Sequence, residues 1–262
     1  QVAAEAIKSL AAEGAVTFEL RESMADPSKS EPIIRQYAAS GYDLIIGHGI
    51  ELSEPILKIA ASFPKAHFAA SGGPDLAGRL LPNVDDFGQQ GYLSGFVAGK
   101  LKGVATFGMV GGPELGFVKA SHTGFKAGLM EGNPSAKVIE SYTGSFDDAQ
   151  KAAEATRGMI AQGAKVVWTS GDGIGNGVVA AAAQDGALTL GVTGDAGGFA
   201  RRVNIATVVL DMRPTYKAYV DDLNAGTFGK KFFVSGIGNK GLVMTPLNPV
   251  GADLPAGLSA EV

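Results

Sequence analysis

Residues 166–183 read VVWTSGDGIGNGVVAAAA, a short apolar run followed by closely spaced glycines and an alanine-rich stretch. This pattern predicts a buried strand, a tight loop and a helix. In open α/β sheets, small molecules bind outside the carboxyl ends of the strands, where such loops present backbone N–H groups and short side chains. We therefore expect a binding site beside Trp168, Ser170 and Asp172.

The glycines of this loop do not form a nucleotide-binding fingerprint. Counted from Gly171 or from Gly173, the third glycine of a G-x-G-x-x-G pattern is replaced by another residue. The segments 95–101 and 226–231 also lack the spacing and the final hydroxyl residue of a phosphate-binding P-loop. The sequence thus contains no motif for a nucleotide cofactor, and we expect no cofactor.

The composition limits the class of partner. The chain has 262 residues, a formal net charge of −4 and no cysteine. Its length suits one large domain or two lobes of about 100–150 residues each. The negative charge, without a run of Lys or Arg, argues against nucleic acid as a partner. The absence of cysteine excludes disulfides but leaves the compartment open, and no stretch reaches the about 20 apolar residues of a membrane span.

The first part of the chain alternates between strand and helix patterns. It opens inside a helical pattern with no strand before it, which predicts that a first strand lies upstream. The predicted strands are 15–20, 43–47, 66–70 and 80–84, and the predicted helices after the first are 30–39, 52–62 and 89–101. This βαβ order predicts a parallel sheet with right-handed crossovers.

The alternation starts afresh at residue 104. The predicted strands are 104–110, 137–142, 165–169, 187–192 and 205–210, with short strands at 232–234 and 242–244. The predicted helices are 117–131, 147–162, 175–185 and 215–225. The tail after Pro249 shows no period.

Together these patterns predict an α/β protein with two doubly wound lobes and parallel sheets. We assign 1–103 and about 210–231 to an N-lobe, 104–209 to a C-lobe, and 232–262 to a hinge-crossing segment and tail. Two lobes joined by several crossovers form a hinged pair, and the cleft between them is the expected binding site.

Several stretches resemble the basic membrane protein family of ABC-transporter substrate-binding proteins, which includes purine nucleoside receptors. The matching stretches are VATFGMVGGPELGFVKASHTGFKAGL (104–129), ESYTGSFDDAQKA (140–152), QGAKVVWTSGDGIGNGV (162–178), LGVTGDAG (190–197), GNKGLVMTP (238–246) and, earlier, GYDLIIGHGIELSEPILKIAASFPKAHFAASGG (41–73). The resemblance implies a type I periplasmic-binding-protein fold with a multi-crossover hinge. It also implies a monomeric, lipid-anchored protein in the periplasm or outside the cell that delivers a purine nucleoside or nucleobase to an ABC permease.

The resemblance also implies site residues. Phe146 matches the family's stacking aromatic, and the glycine loop with Gly171 and Gly173 lines the pocket. Asp195 matches an acid that binds ribose hydroxyls in nucleoside-binding members. Ser71 falls where some members carry a base-reading Asp.

The chain departs from the family pattern at the positions that bind ribose. Thr193 replaces the first acid of the G-V-D-x-D-like piece, and Asp211-Met212-Arg213-Pro214 replace a Ser-Lys pair. Ribose recognition is therefore either lost or rebuilt, and Asp211 and Arg213 are the candidate contacts of a rebuilt site. Asp172 adds a carboxylate that could accept an exocyclic amino group, which makes a nucleobase as reasonable as a nucleoside. The other half of the stacking clamp is expected upstream of Gln1.

Plainer interpretations stand beside these. Phe146 could be a core residue, because most phenylalanines are buried, and Trp168 is expected as pocket wall or interlobe packing. The three histidines are scattered without ligand spacing, so we expect no metal. His48 alone is a pocket candidate, since it follows a predicted strand at its carboxyl end.

Two other function classes remain open. An enzyme of nucleoside hydrolase type would need a nucleophile elbow or a clustered acid/base pair, and the sequence shows neither, so we expect no catalysis. The effector-binding domain of a transcription regulator could share the same lobes, with a DNA-binding helix pair upstream.

Overall fold

The computed structural model describes residues 2–24, 26–71, 80–171, 173–193, 198–230 and 233–261. Contacts between Cα atoms divide the chain into two units, one made of Gln1–Asp85 and Asp211–Gly241, the other of Asp86–Leu210 and Leu242–Val262. We call them unit 1 and unit 2. The chain therefore changes unit after Asp85, Leu210 and Gly241.

Strands and helices alternate along most of the described chain. The strands are β1 (Leu44–Gly47), β2 (His67–Ser71), β3 (Leu80–Asp85), β4 (Thr106–Gly111), β5 (Lys137–Tyr142), β6 (Val166–Thr169), β7 (Leu188–Thr193), β8 (Asn204–Leu210), β9 (Phe233–Ser235) and β10 (Leu242–Met244). The α-helices are α1 (Val2–Ala12), α2 (Pro27–Ala39), α3 (Ser53–Ala60), α4 (Phe87–Gly99), α5 (Gly116–Gly132), α6 (Ala149–Ala161), α7 (Gly175–Asp185), α8 (Arg213–Asn224) and α9 (Leu258–Glu261). These elements confirm the predicted α/β class.

Unit 1 contains a parallel sheet in the order β1-β2-β3-β9. Its hydrophobic core brings together Ile34 of α2, Ile56 and Ile59 of α3, and Phe68 of β2, all buried. The apolar positions of α3 recur at helical spacing, which directs one face of the helix onto the sheet. Helix α1 packs against α8 in the same unit.

One predicted strand is absent. Residues 16–24 belong to no helix or strand, although 15–20 alternate between apolar and polar residues. This segment has no ladder partner among the described strands, and Phe18 is exposed. The prediction was wrong because alternation creates a strand only where a sheet edge supplies hydrogen bonds.

Unit 2 contains a six-stranded sheet in the order β10-β8-β7-β6-β4-β5. All neighbouring strands are parallel except β10, which pairs antiparallel with β8. Helices α6 and α7 pack on each other, as do α4 and α5. The largest core cluster contains Phe107, Met109, Phe125, Leu129 and Trp168, all fully buried.

Helix α4 belongs to unit 2 because glycines let it touch the backbone of α5. A Cβ atom added at Gly91 or Gly95 would overlap the carbonyl oxygens of Ser121 or Phe125. Only a residue without a side chain permits so close an approach. The observed division at Asp85 therefore differs from the N-lobe boundary expected at 103, which had assigned this helix to the first lobe.

Candidate functional site

The carboxyl edge of the unit 2 sheet has the geometry of a ligand site. Strand β4 lies between β5 and β6, so the chain proceeds from β4 to β5 on one side and returns to β6 on the other. In doubly wound sheets a crevice forms where the strand order reverses in this way. The segments that follow β4, β5 and β6 meet at this edge.

Phe146 lies at this edge, in the segment between β5 and α6. Its ring covers Gly112, where an added Cβ would lie 2.6 Å from Cδ1 of the ring, and an added Cβ at Gly171 would lie 3.8 Å from the same atom. At Gly173 an added Cβ would lie 2.6 Å from the carbonyl oxygen of Phe146. The glycines after β4 and β6 thus leave space for this ring, which is only half-buried.

Two further rings extend from Phe146. Phe117, in the first turn of α5, stacks on Phe146 with ring centroids 6.0 Å apart and planes 15° apart. Phe87, at the start of α4, contacts Phe117 with centroids 4.8 Å apart. All three rings are half-buried. The site therefore includes a row of aromatic faces, of which sequence reasoning identified Phe146 alone.

Short polar contacts shape the loop that carries Phe146. The hydroxyl of Thr143 donates to the carbonyl oxygen of Ser145 at 2.7 Å, and the hydroxyl oxygen of Ser145 accepts from the N–H of Asp147 at 3.1 Å. Asp148 then caps α6 by accepting from the N–H of Lys151 at 3.0 Å. Hydroxyl and carboxylate acceptors of this kind are typical of turns and helix N-caps, so Asp148 serves as the N-cap of α6.

A line of hydrogen bonds lies next to the aromatic row. Ser170 follows β6, and its hydroxyl lies 2.9 Å from Nε2 of His122 on α5. Nδ1 of His122 lies 2.7 Å from Oε1 of Glu140 on β5. Tyr142 donates to the same Oε1 at 2.9 Å, and Lys126 donates to Oε2 at 2.6 Å.

Burial and hydrogen bonding set the charges of this line. Burial raises the pKa of Glu140, but hydrogen bonds from Lys126, His122 and Tyr142 outweigh it and lower this pKa to about 2. Burial lowers the pKa of His122, against the opposing effect of Glu140. At neutral pH the carboxylate is therefore ionised and the imidazole is neutral.

The order Ser170, His122, Glu140 is that of a nucleophile, a base and an orienting acid. The sequence shows neither a nucleophile elbow nor a clustered acid/base pair, yet the fold brings these three side chains together. The three residues come from the segment after β6, from α5 and from β5, so no local sequence motif indicates them. The imidazole is 1% exposed, and its Nε2 faces Ser170.

Trp168 lies in the hydrophobic core and not on a pocket wall. Its side chain is 0% exposed and stacks on Phe125, with centroids 4.7 Å apart and planes 20° apart. The His122 ring lies edge-on to the indole, with ring centroids 5.2 Å apart. Alternation along β6 places Trp168 on the face that packs against α5, which explains why the expectation of a pocket wall was wrong.

The unit 1 candidates fall into two groups, and the first lies at a strand edge. The N–H of Gly49, next to His48, donates to the hydroxyl of Ser71 at 3.4 Å, so the ends of β1 and β2 are adjacent. Burial lowers the pKa of His48. His48 and Ser71 thus remain candidate contacts.

Asp211 and Arg213 serve the helix packing of unit 1. Asp211 accepts from the backbone N–H of Arg213 at 2.9 Å at the start of α8. The Arg213 guanidinium donates to Ser9 at 3.2 Å and to Glu13 at 2.5 Å, both in or next to α1. These contacts join α1 to α8, and a role in binding stays a prediction.

Asp172 and Asp195 lie outside the described residues, so their expected roles remain predictions. Within the described ranges, no group of three or more His, Cys, Asp or Glu side chains could hold a metal ion. No helix in the same ranges is both long and apolar enough to cross a membrane.

Comparison with known proteins identifies the family. The family profile described as "Bmp: ABC transporter substrate-binding protein PnrA-like" matches residues 1–253. The solved structure of an ABC transporter system solute-binding protein from Conexibacter woesei is 46% identical, with a TM-score of 0.86, covering 99% of this chain and 87% of that one.

Two curated relatives are more distant. The "CD4+ T-cell-stimulating antigen" of Listeria innocua is 31% identical over 55% of this chain and 40% of its own length. The "Purine-binding protein BAB2_0673" of Brucella abortus is 24% identical over 82% of this chain and 61% of its own length. This chain thus spans less than two thirds of either relative.

The family match confirms the resemblance drawn from the sequence, and the Conexibacter structure confirms the expected periplasmic-binding-protein fold. The family is one of solute-binding proteins of ABC transporters, which act outside the cytoplasm on small molecules. We conclude that this chain belongs to the Bmp family of PnrA-like ABC transporter substrate-binding proteins.

Proposed function

We propose that this protein captures a purine nucleobase or nucleoside and delivers it to an ABC permease. The observation that carries the purine assignment is Phe146, whose half-buried ring lies over Gly112 at the carboxyl edge of unit 2 and stacks on Phe117. Stacking of a base on an aromatic ring contributes about 1–3 kcal/mol. The name of the Brucella relative, a purine-binding protein, supports the same solute class.

The family resemblance adds the polar part of the proposed site. Asp195 is proposed to bind ribose hydroxyls, and Asp172 to accept an exocyclic amino group; a carboxylate acceptor makes such hydrogen bonds strong. The solute is proposed to lie between the two lobes, with His48 and Ser71 as first-lobe contacts. A monomeric state and an N-terminal lipid anchor complete the proposal.

We propose binding without turnover, although Ser170, His122 and Glu140 form a triad-like line. A hydrolytic base must pass its proton from Nε2 to a leaving group. The His122 side chain is 1% exposed, so it contacts the site only through its hydrogen bond with the Ser170 hydroxyl. A leaving group would therefore find no accessible imidazole to protonate it.

The first prediction tests the solute class with Phe146→Ala. We expect affinity for adenine, guanine, adenosine and guanosine to fall about 10- to 100-fold in titration calorimetry, because the stacking face is lost. Phe18→Ala, at an exposed ring of unit 1, is the matched control and should bind as wild type does. Chromatography of the same mixtures should show no new product.

The same panel separates nucleosides from bases. Asp195→Ala should weaken nucleosides by about 1.5–3 kcal/mol and leave free bases nearly unchanged, since only the ribose uses that acceptor. Normal purine binding by Phe146→Ala, or binding of ribose or glucose but no purine, would contradict the purine assignment. Sustained release of free base from a nucleoside would show an enzyme instead.

A further inference from the structure

The line Ser170–His122–Glu140 fixes the direction of each hydrogen bond. An ionised carboxylate only accepts, so at the 2.7 Å contact between Nδ1 and Oε1 of Glu140, the proton resides on Nδ1 of His122. A neutral imidazole carries one N–H, which leaves Nε2 as an acceptor. At 2.9 Å from this acceptor, the Ser170 hydroxyl must donate.

The surroundings of His122 hold this arrangement in place. The ring stacks on Tyr142 with centroids 4.8 Å apart and planes 16° apart, and it meets Trp168 edge-on. A Cβ added at Gly111 would lie 2.8 Å from Nε2, so the strand backbone closes one side of the ring. Lys126 and Tyr142 donate to Glu140 and keep it ionised.

Ser170 differs from His122 in being only half-buried. It directly precedes Gly171, which lies beside the Phe146 ring. Its backbone N–H donates to the carbonyl oxygen of Val110 at 3.1 Å and is therefore not available to a solute. With its one proton directed at His122, the hydroxyl oxygen can offer a solute only lone pairs.

We propose that His122 and Glu140 hold the Ser170 hydroxyl as a hydrogen-bond acceptor that selects solutes presenting an N–H or O–H donor beside the Phe146 ring. The identity of the solute in this proposal rests on the proposed function, whereas the arrangement of the protons is independent of it. An ordinary serine donates or accepts as its partner requires. Here a solute that places an acceptor at this point faces the lone pairs of the Ser170 hydroxyl. Neither acceptor then has a hydrogen-bond partner once water is displaced, which costs affinity.

The first arm of the test reads the proton positions without any solute. Nitrogen-15 NMR of the imidazoles distinguishes the two neutral tautomers, and the chain has three histidines. His48→Asn and His67→Asn assign the remaining signal to His122 without altering it. We expect a neutral His122 at pH 7 with the proton on Nδ1; a proton on Nε2 would overturn the proposal.

The second arm measures binding of adenine, purine, 9-methyladenine and hypoxanthine by calorimetry. Ser170→Ala should weaken adenine about 3- to 10-fold, as expected for one neutral hydrogen bond. Ser170→Ala should not change the affinity for the analogue that lacks the hydrogen-bond donor facing Ser170. Ser135→Ala, on the exposed turn after α5, is the matched control and should bind every probe as wild type does.

The outcomes of the two arms are separable. If wild type binds neither the four probes nor adenosine and guanosine, the purine assignment fails while the tautomer result still stands. If adenine binds but Ser170→Ala changes its affinity less than twofold, or weakens all four probes equally, the selection by Ser170 is wrong. Covalent labelling of Ser170 by a fluorophosphonate would instead contradict binding without turnover, because the hydroxyl would then act as a nucleophile.

Discussion

At the residue scale, the ionised Glu140 links the site to stability. Its carboxylate accepts from Lys126, His122 and Tyr142, which lowers its pKa from 4.5 to about 2 despite burial. A carboxyl with a lowered folded-state pKa stabilises the protein above its unfolded pKa, and this stabilisation is lost as the pH falls through the folded pKa. The relevant window is therefore from pH 4.5 down to about 2.

We predict that Glu140→Gln lowers the free energy of unfolding at pH 6 by about 1–3 kcal/mol, where the pKa difference sets the upper value and the partly exposed Lys126 reduces it. The difference in free energy of unfolding between this variant and wild type should narrow below pH 4.5. Urea unfolding from pH 3 to 6 measures both effects. Glu114→Gln, which removes an exposed ion pair with Lys119, is the control; a pH-independent gap at Glu140 would contradict the argument.

Protonation of His122 acts in the same direction. Its pKa is lowered from 6.5 by burial, so the unfolded chain binds this proton more readily than the folded one below pH 6.5. Stability should therefore already begin to fall as the pH drops below 6.5, before Glu140 titrates. The sequence did not reveal this, because His122 is one polar residue on an apolar helix face.

At the element scale, local patterns predicted most strands and helices but not their partners. Helix α7 was expected at 175–185 and occupies Gly175–Asp185, because its glycine start and alanine run are local features. The packing of α4 on α5 depends instead on Gly91 and Gly95, which meet the α5 backbone at Ser121 and Phe125 only in the fold. Domain assignment by chain order therefore placed α4 in the first lobe.

The glycine contact between α4 and α5 yields a second prediction. Gly95→Ala should destabilise the protein by about 1–3 kcal/mol, because its Cβ would overlap the backbone of Phe125 and force the helices apart. Gly158→Ala is the matched control in α6, where an added Cβ meets nothing within 4 Å. That change should stabilise by about 0.5–1 kcal/mol through helix propensity and unfolded-chain entropy.

Thermal and urea unfolding of the two alanine variants measure the difference. Equal effects of Gly95→Ala and Gly158→Ala on the free energy of unfolding would show that α4 and α5 do not touch at the backbone. The comparison is independent of any ligand.

At the scale of the whole molecule, each unit is assembled from separate segments of the chain. Unit 1 needs Asp211–Gly241 in addition to Gln1–Asp85, and unit 2 needs Leu242–Val262 in addition to Asp86–Leu210. The alternation of strands and helices predicted two lobes, since alternation is visible in the sequence. The role of the aperiodic tail was not predictable, because its contacts are with distant residues.

The C-terminal segment Leu242–Val262, which includes β10 and the aperiodic tail, completes unit 2. Strand β10 pairs with β8 through Leu242 and Leu210, and Asn248 donates to the carbonyl oxygen of Arg201 at 2.8 Å. Leu258 of α9 is 1% exposed and belongs to the main core cluster. Truncating one such leucine to alanine costs about 2–5 kcal/mol, against a total stability of about 5–15 kcal/mol for a typical domain.

The last prediction follows from this division. A chain that ends at Gly241 retains every segment of unit 1 but loses β10, α9 and the core leucine of unit 2. Hydrogen exchange should therefore show lost protection in β4, β6 and β8, while β1 and β2 stay protected. Leu258→Ala in the full chain should weaken protection in the same unit 2 strands, whereas Val243→Ala, at an exposed position of β10, should change it little. Retained protection in β8 of the shortened chain would mean that the tail is dispensable, and loss of protection in β1 as well would mean that the two units fold as one.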